Sequence, residues 1–89
     1  MERNMSRPIA RLQKRVSCSN AVTLGQAVAN SRRKQGLTQG ELAEFAGVGI
    51  TFVNQLEKGK GTVRLELVLK VLQTLNVQLE LILPEFQDD

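Results

Sequence analysis

From residue 20 to residue 76 the apolar side chains recur every three or four positions, and beyond residue 76 the interval drops to two. The first spacing lines side chains along one face of a helix, the second along one face of a strand. Four helices are predicted. The first begins at Asn20–Thr23 with a stripe of Leu24, Ala27, Val28 and Ser31, and Gly36 stops it after a basic last turn, SRRKQ, that suits the negative end of the helix dipole. The second opens at Thr38, where Glu41 completes a capping box, and ends near Ala46. Leu42, Ala43 and Ala46 face inward along it, and Gly47 follows, free to take the left-handed conformation that ends a helix. The third resumes from about Gly49 with Val53 and Leu56 inward and closes at Gly59. The fourth runs from Thr62 to Leu75 with Leu65, Val68, Leu69, Leu72 and Leu75 on its core stripe. Leu67 and Val71 form a second apolar side, more than so small a unit should leave wet.

Val77 to Leu83 then alternates, with Val77, Leu79, Leu81 and Leu83 on one face, Gln78 and Glu80 on the other, and Pro84 at its end. A single strand leaves its backbone donors and acceptors unmet, and the sequence offers no second convincing strand. The partner is expected from another copy, in a twofold dimer whose antiparallel strands cover the leucine face against the fourth helices, with Leu67 and Val71 in the same interface. Continuation of the fourth helix through Leu83 is the alternative, and it would scatter those leucines around the cylinder.

Thr38 to Leu56 forms two short helices joined by a glycine-containing turn, and the third helix is only half covered by its own residues. Ile50, Thr51, Asn54 and Gln55 lie on its outer face, where side chains able to meet base edges are flanked by basic residues. This is the layout of a helix-turn-helix DNA reader. An ordinary helical hairpin with a solvated polar face is the plainer alternative.

The charge distribution favours the reader. Residues 1–22 carry five basic side chains and one acidic, residues 23–61 five and three, and residues 62–89 two and five. A polyanion is drawn to the first two stretches, and the last is left for protein contacts. Arg33, Lys34, Lys58 and Lys60 are candidates for phosphate contacts. Phe52 packs either on DNA backbone sugar or, with Phe45, on the protein.

The chain has no histidine and a single cysteine, Cys18, so neither a zinc finger, a disulfide framework nor Ser-His-Asp catalysis can be assembled within it. No apolar run approaches the roughly 20 residues of a membrane span. No phosphate-binding loop is present, since GKGT at 59–62 lacks the upstream strand. A cytoplasmic protein that is not an enzyme and holds no metal or cofactor is expected.

The run GLTQGELAEFAGVGITFVNQLEKGK resembles the small helix-turn-helix family of lambdoid phage repressor and Cro proteins, the Xre type, and TVRLELVLKVLQTLNVQLEL resembles its HipB-type antitoxins. Residues 23–83 are covered. The resemblance implies a mainly α, lambda-repressor-like domain of four to five helices with a C-terminal β-strand paired across a homodimer. It implies base-facing roles for Gly49, Ile50, Thr51, Asn54 and Gln55, a DNA phosphate contact for Gln39, and a structural ion pair between Arg32 and Glu57. Gly49 and Ile50 stand where polar residues are frequent in the family, so fewer hydrogen bonds to bases are available and DNA shape gains weight.

The implied function is binding a double-stranded operator, repressing the module's own promoter and engaging a HipA-like kinase toxin. A plain phage-type or operon-specific repressor, or a module that mainly holds a toxin, are the alternatives. The expected organisation is a basic arm at residues 1–19, solvated or helical on a partner, the DNA-binding domain at 20–76, the dimerising strand at 77–83 and an acidic tail at 84–89.

Overall fold

Local capping sets most of the helix boundaries. In the computed structural model, which describes residues 13–86, the helices are α1 (Ala21–Lys34), α2 (Gln39–Ala46), α3 (Ile50–Glu57) and α4 (Leu65–Thr74). Asn20 caps α1, its side-chain oxygen accepting the Thr23 N–H at 2.8 Å. The capping box is formed at α2: the Glu41 N–H donates to the Thr38 hydroxyl at 3.0 Å, and the Thr38 N–H donates to the Glu41 carboxylate at 2.9 Å. No side chain caps α4, which starts at Leu65 rather than at Thr62, after Arg64 in an extended conformation.

All four helices end alike. The Leu37, Val48, Lys60 and Val77 N–H groups reach back to the carbonyls of Arg32, Ala43, Gln55 and Leu72, at 3.1, 3.0, 3.1 and 2.8 Å. The residue before each of these donors has positive φ: Gly36, Gly47, Gly59 and Asn76. This is the Schellman closure, which satisfies carbonyls that a helix end otherwise leaves unpaired. Asn76 takes at the end of α4 the place that glycine takes at the other three. Asparagine visits the left-handed region more readily than other residues with a side chain.

α3 packs against both α1 and α2, and α2 also packs against α4. Their shared core comprises Val28, Leu42, Ala43, Val53, Leu56, Val68, Val71, Leu72 and Leu75. Two stripes are rotated from their expected positions. On α1 the buried residues are Gly25, Val28, Ala29 and Arg32, while Leu24, Ala27 and Ser31 are half-buried on the flank. The cause is close approach to α3: a Cβ at position 25 would lie 2.3 Å from the Leu56 carbonyl oxygen and 2.8 Å from that of Glu57.

On α4 the core stripe is Val68, Val71, Leu72 and Leu75, whereas Leu65 and Leu69 are 65% and 44% exposed. Val71 is fully buried within its own chain and so offers no surface to a second copy; Leu67 is half-buried. The strip that fits against α2 is narrower than the apolar surface α4 carries.

After Thr74 the helix stops and residues 77–86 form neither helix nor paired strand, which excludes a helix running through Leu83. The alternation is present in sequence, but a strand needs a neighbour, and among the described residues this segment has none. Val77 packs against the core, while Leu79, Leu81, Ile82, Leu83 and Phe86 are exposed. Residues 13–19 are not helical. Most of the short N-terminal helix considered for the arm lies outside the described residues, as does the end of the acidic tail.

Candidate nucleic-acid interface

The turn between α2 and α3 sets how α3 projects. Gly47 ends α2, and Gly49 is the N-cap of α3 in an extended conformation without a side-chain cap. Gly49, Ile50 and Thr51 are exposed and Asn54 and Gln55 half-buried, so the five expected base-facing positions occur together on the N-terminal and outer part of α3. Ile50 lies beside the first turn of α2, its Cδ1 3.6 Å from where a Gly40 Cβ would sit, and still leaves 54% of its surface open. Its exposed side chain is apolar surface of the kind that can pack a thymine methyl. Val53 and Leu56 on the opposite side are buried and fix the helix to the core.

Beneath this face runs a continuous polar network. Arg32 on α1 grips Glu57 at the end of α3 in a two-pronged pair, Nε to Oε2 at 2.6 Å and Nη2 to Oε1 at 3.0 Å, and donates a third bond from Nη1 to the Leu37 carbonyl at 2.8 Å. Gln39 Nε2 donates to Glu57 Oε1 at 2.9 Å, and Asn54 Nδ2 donates to Gln39 Oε1 at 3.4 Å. The ion pair is nearly dry, with Arg32 11% and Glu57 5% exposed at the side chain.

Burial pushes the Glu57 carboxyl up, but hydrogen bonds from Arg32 and Gln39 and the charges of Arg32 and Arg33 outweigh it and hold the group below its ordinary value. The hydrogen bond to Glu57 likewise raises Arg32 against its own desolvation. The arginine is structural here, since its polar atoms turn inward.

The other expected residues are spread around the reader. Arg33 and Lys34 are exposed at the end of α1, and Lys58 and Lys60 are exposed beyond α3. Phe52 is half-buried against the core and Phe45 is 63% exposed. Gln39 at the first position of α2 is half-buried, with one amide hydrogen committed to Glu57.

Two residues that shape the site were not singled out from the sequence, and a third makes a bond that was not expected. Gly25 lets α1 approach the end of α3, and an isolated glycine inside a helical stripe is the signal that could have found it. Gln35 donates from Nε2 to the Leu75 carbonyl at 2.8 Å, tying the end of α1 to the end of α4. Glu57 was expected to meet Arg32, but its second bond, to Gln39, links three helices and depends on spatial juxtaposition that no local pattern encodes. Among the described residues no cluster of His, Cys, Asp or Glu could hold a metal, and no helix is long and apolar enough to cross a membrane.

Comparison with known proteins agrees with this geometry. The helix-turn-helix family HTH_3 matches residues 28–82. An uncharacterised HTH-type transcriptional regulator, y4mF, of Sinorhizobium fredii is 44% identical over 61 residues, which span 68% of this chain and 80% of the relative. Among solved structures, the restriction-modification controller protein C.AhdI of Aeromonas hydrophila is 31% identical with a TM-score of 0.60, covering 65% of this chain and 84% of its own. A HipA-HipB-O2-O3 complex matches with a TM-score of 0.72 at 24% identity, covering 80% of this chain and all of the matched one, a likeness of fold.

With a capped α2, a glycine turn, an α3 whose outer face is open, and a match to most of the folded region, this chain belongs to the helix-turn-helix family of DNA-binding transcriptional regulators.

Proposed function

We propose that this chain is a sequence-specific repressor that binds a palindromic operator as a homodimer, represses its own operon by occluding the promoter, and serves as the antitoxin of a HipA-like kinase toxin. The observation that carries the DNA reading is the open outer face of α3, with Gly49, Ile50, Thr51, Asn54 and Gln55 together above a rigid polar base. Asn54 and Gln55 offer donors and acceptors to base edges, and Ile50 and Thr51 offer methyl groups. Gln39 and the basic side chains Arg33, Lys34, Lys58 and Lys60 hold phosphates and set orientation, with Phe52 supporting the helix from its inner side.

Homodimerisation is supported by the exposed leucines of residues 77–83, which need a neighbouring strand, and Leu79, Leu81 and Leu83 are the residues assigned to it. Two α3 helices about one helical turn apart then read two half-sites. The toxin partner is supported by the HipA-containing complex among the structures of similar fold. The likeness to a restriction-modification controller favours a second reading, an operon regulator with no toxin partner.

Gel shifts on DNA upstream of the gene test the first step. Asn54→Ala and Gln55→Ala are expected to lose about 1–3 kcal/mol on the operator and little on unrelated DNA. Wild-type affinity in both variants would remove the direct-readout assignment. Copurification from the native locus decides between the two readings, a kinase-like companion supporting the antitoxin role and its absence the plain regulator.

A further inference from the structure

The N-terminal segment 13–18 and the C-terminal segment 77–82, bridged by one side-chain pair, both wall one groove. Its floor includes Leu24 and Ala27 of α1, with Leu72 and Leu75 from α4 and its end, and so contains part of the half-buried flank that the packing of α1 on α3 turns outward. No backbone hydrogen bond joins the walls among the described residues. They meet through a side-chain pair instead, Arg15 Nε to Glu80 Oε1 at 3.3 Å. An arginine and a glutamate that meet at their tips can bridge backbones about 10 Å apart, which is roughly the two strand spacings that one intervening strand requires.

The alternating segment supplies the occupant. Leu79 and Leu81 are 53% and 80% exposed, and Val16 on the facing wall is 53% exposed. Symmetric antiparallel pairing of Val77–Leu83 has its midpoint at residue 80, so Glu80 falls opposite Glu80 of the second copy. Like charges directly opposite on neighbouring strands destabilise the pair. Arg15, already in contact with Glu80, is the cation that relieves it.

We propose that residues 77–83 of a second copy seat in this groove, so that residues 13–18 become the outer strand of a four-stranded intermolecular sheet and Arg15 of each copy neutralises the central pair of Glu80 carboxylates. This inference rests on the C-terminal pairing proposed above and adds the N-terminal segment to it. The order across the sheet is N-terminal strand, C-terminal strand of the other copy, C-terminal strand, N-terminal strand of the other copy. The segment preceding α1 thereby becomes part of the dimer rather than a free basic arm, and dimerisation covers the unpaired edges of the leucine-rich strands.

Sedimentation equilibrium on the full chain, with hydrogen exchange read at residues 14–18, tests it. Arg15→Glu is expected to weaken dimerisation roughly tenfold, and the exchanged pair Arg15→Glu with Glu80→Arg to recover to within about threefold of wild type. Amides 14–18 are expected to be protected in the wild-type dimer and to exchange freely in Leu81→Asp, which is expected to be monomeric. Unchanged dimerisation in Arg15→Glu, or equal exchange at 14–18 in dimer and monomer, overturns the inference while loss of the dimer in Leu81→Asp leaves the C-terminal pairing standing. A fully dimeric Leu81→Asp overturns both.

Discussion

The α2–turn–α3 unit and the segment after Asn76 have comparable apolar content and opposite fates. In the first, both ends and the turn are closed locally, by the Thr38–Glu41 box at one end, the Gly47 turn in the middle and the Gly59 closure at the other, with Arg32, Glu57 and Gln39 bonded beneath. In the second, Leu79, Leu81, Ile82 and Leu83 are open to water and the backbone joins no ladder among the described residues. Helical hydrogen bonds are satisfied within a few residues, whereas a strand depends on whatever lies beside it. A reader helix is therefore completed by its own neighbours, whereas the leucine tail has no partner strand among the described residues.

The contrast is broken most severely in the core. Leu42→Ala, at a position with no exposed surface, is expected to cost about 2–5 kcal/mol in urea unfolding. Leu83→Ala, at 74% exposure, should change the stability of the monomeric Leu81→Asp background by no more than about 0.5 kcal/mol. An equal loss at both sites would show that the tail is already packed within one chain.

Glu57→Ala is expected to act on the same scale. It leaves the buried Arg32 guanidinium with the Leu37 carbonyl as its remaining partner and takes away the anchor of Gln39, at an expected cost of about 3–5 kcal/mol. The same group gives the fold an acid limb. Its folded pKa lies below the unfolded value of about 4.3, so its contribution is complete above that pH and is lost as pH falls through the folded value. Stability measured by urea titration from pH 7 downward should hold until about pH 4.3 and then decline, and Glu57→Gln should flatten that decline. An unchanged acid limb in Glu57→Gln would assign it to other carboxylates.

The smallest effect sharpens the functional side. Lys58→Ala is expected to leave the fold intact, weaken operator and unrelated DNA alike, and lower the slope of log affinity against log salt by about 2, about 1 for each copy in the proposed dimer. A loss confined to the operator would make Lys58 a base contact.

What could be read from residue order follows the same division. Capping at Asn20–Thr23 and Thr38, the stops at Gly36, Gly47 and Gly59, and the inward Val53 and Leu56 depend on neighbours within one or two turns, and each is present in the structure. Missed features depend on a second element. The true faces of α1 and α4 were set by how closely each helix approaches its neighbour, which exchanged Leu24, Ala27 and Ser31 for Gly25, Ala29 and Arg32, and Leu65 and Leu69 for Val71. In the candidate site, the outward positions of Ile50 and Thr51 followed from helical periodicity, and the place of Gly49 and the Arg32–Glu57 pair followed from the family resemblance. The Gln39 link to Glu57 followed from neither. Residues 13–18 carry no alternation that marks them as strand, and only their position beside 77–82 gives them a role to test.

The close approach at Gly25 has a genetic consequence. Every single-nucleotide change in a glycine codon that replaces the residue with another amino acid brings in a Cβ, and at this position that atom would meet the Leu56 and Glu57 carbonyl oxygens rather than a movable side chain. Missense alleles here cannot be graded by size or polarity, so a saturation screen for function should return alanine together with the bulkier replacements.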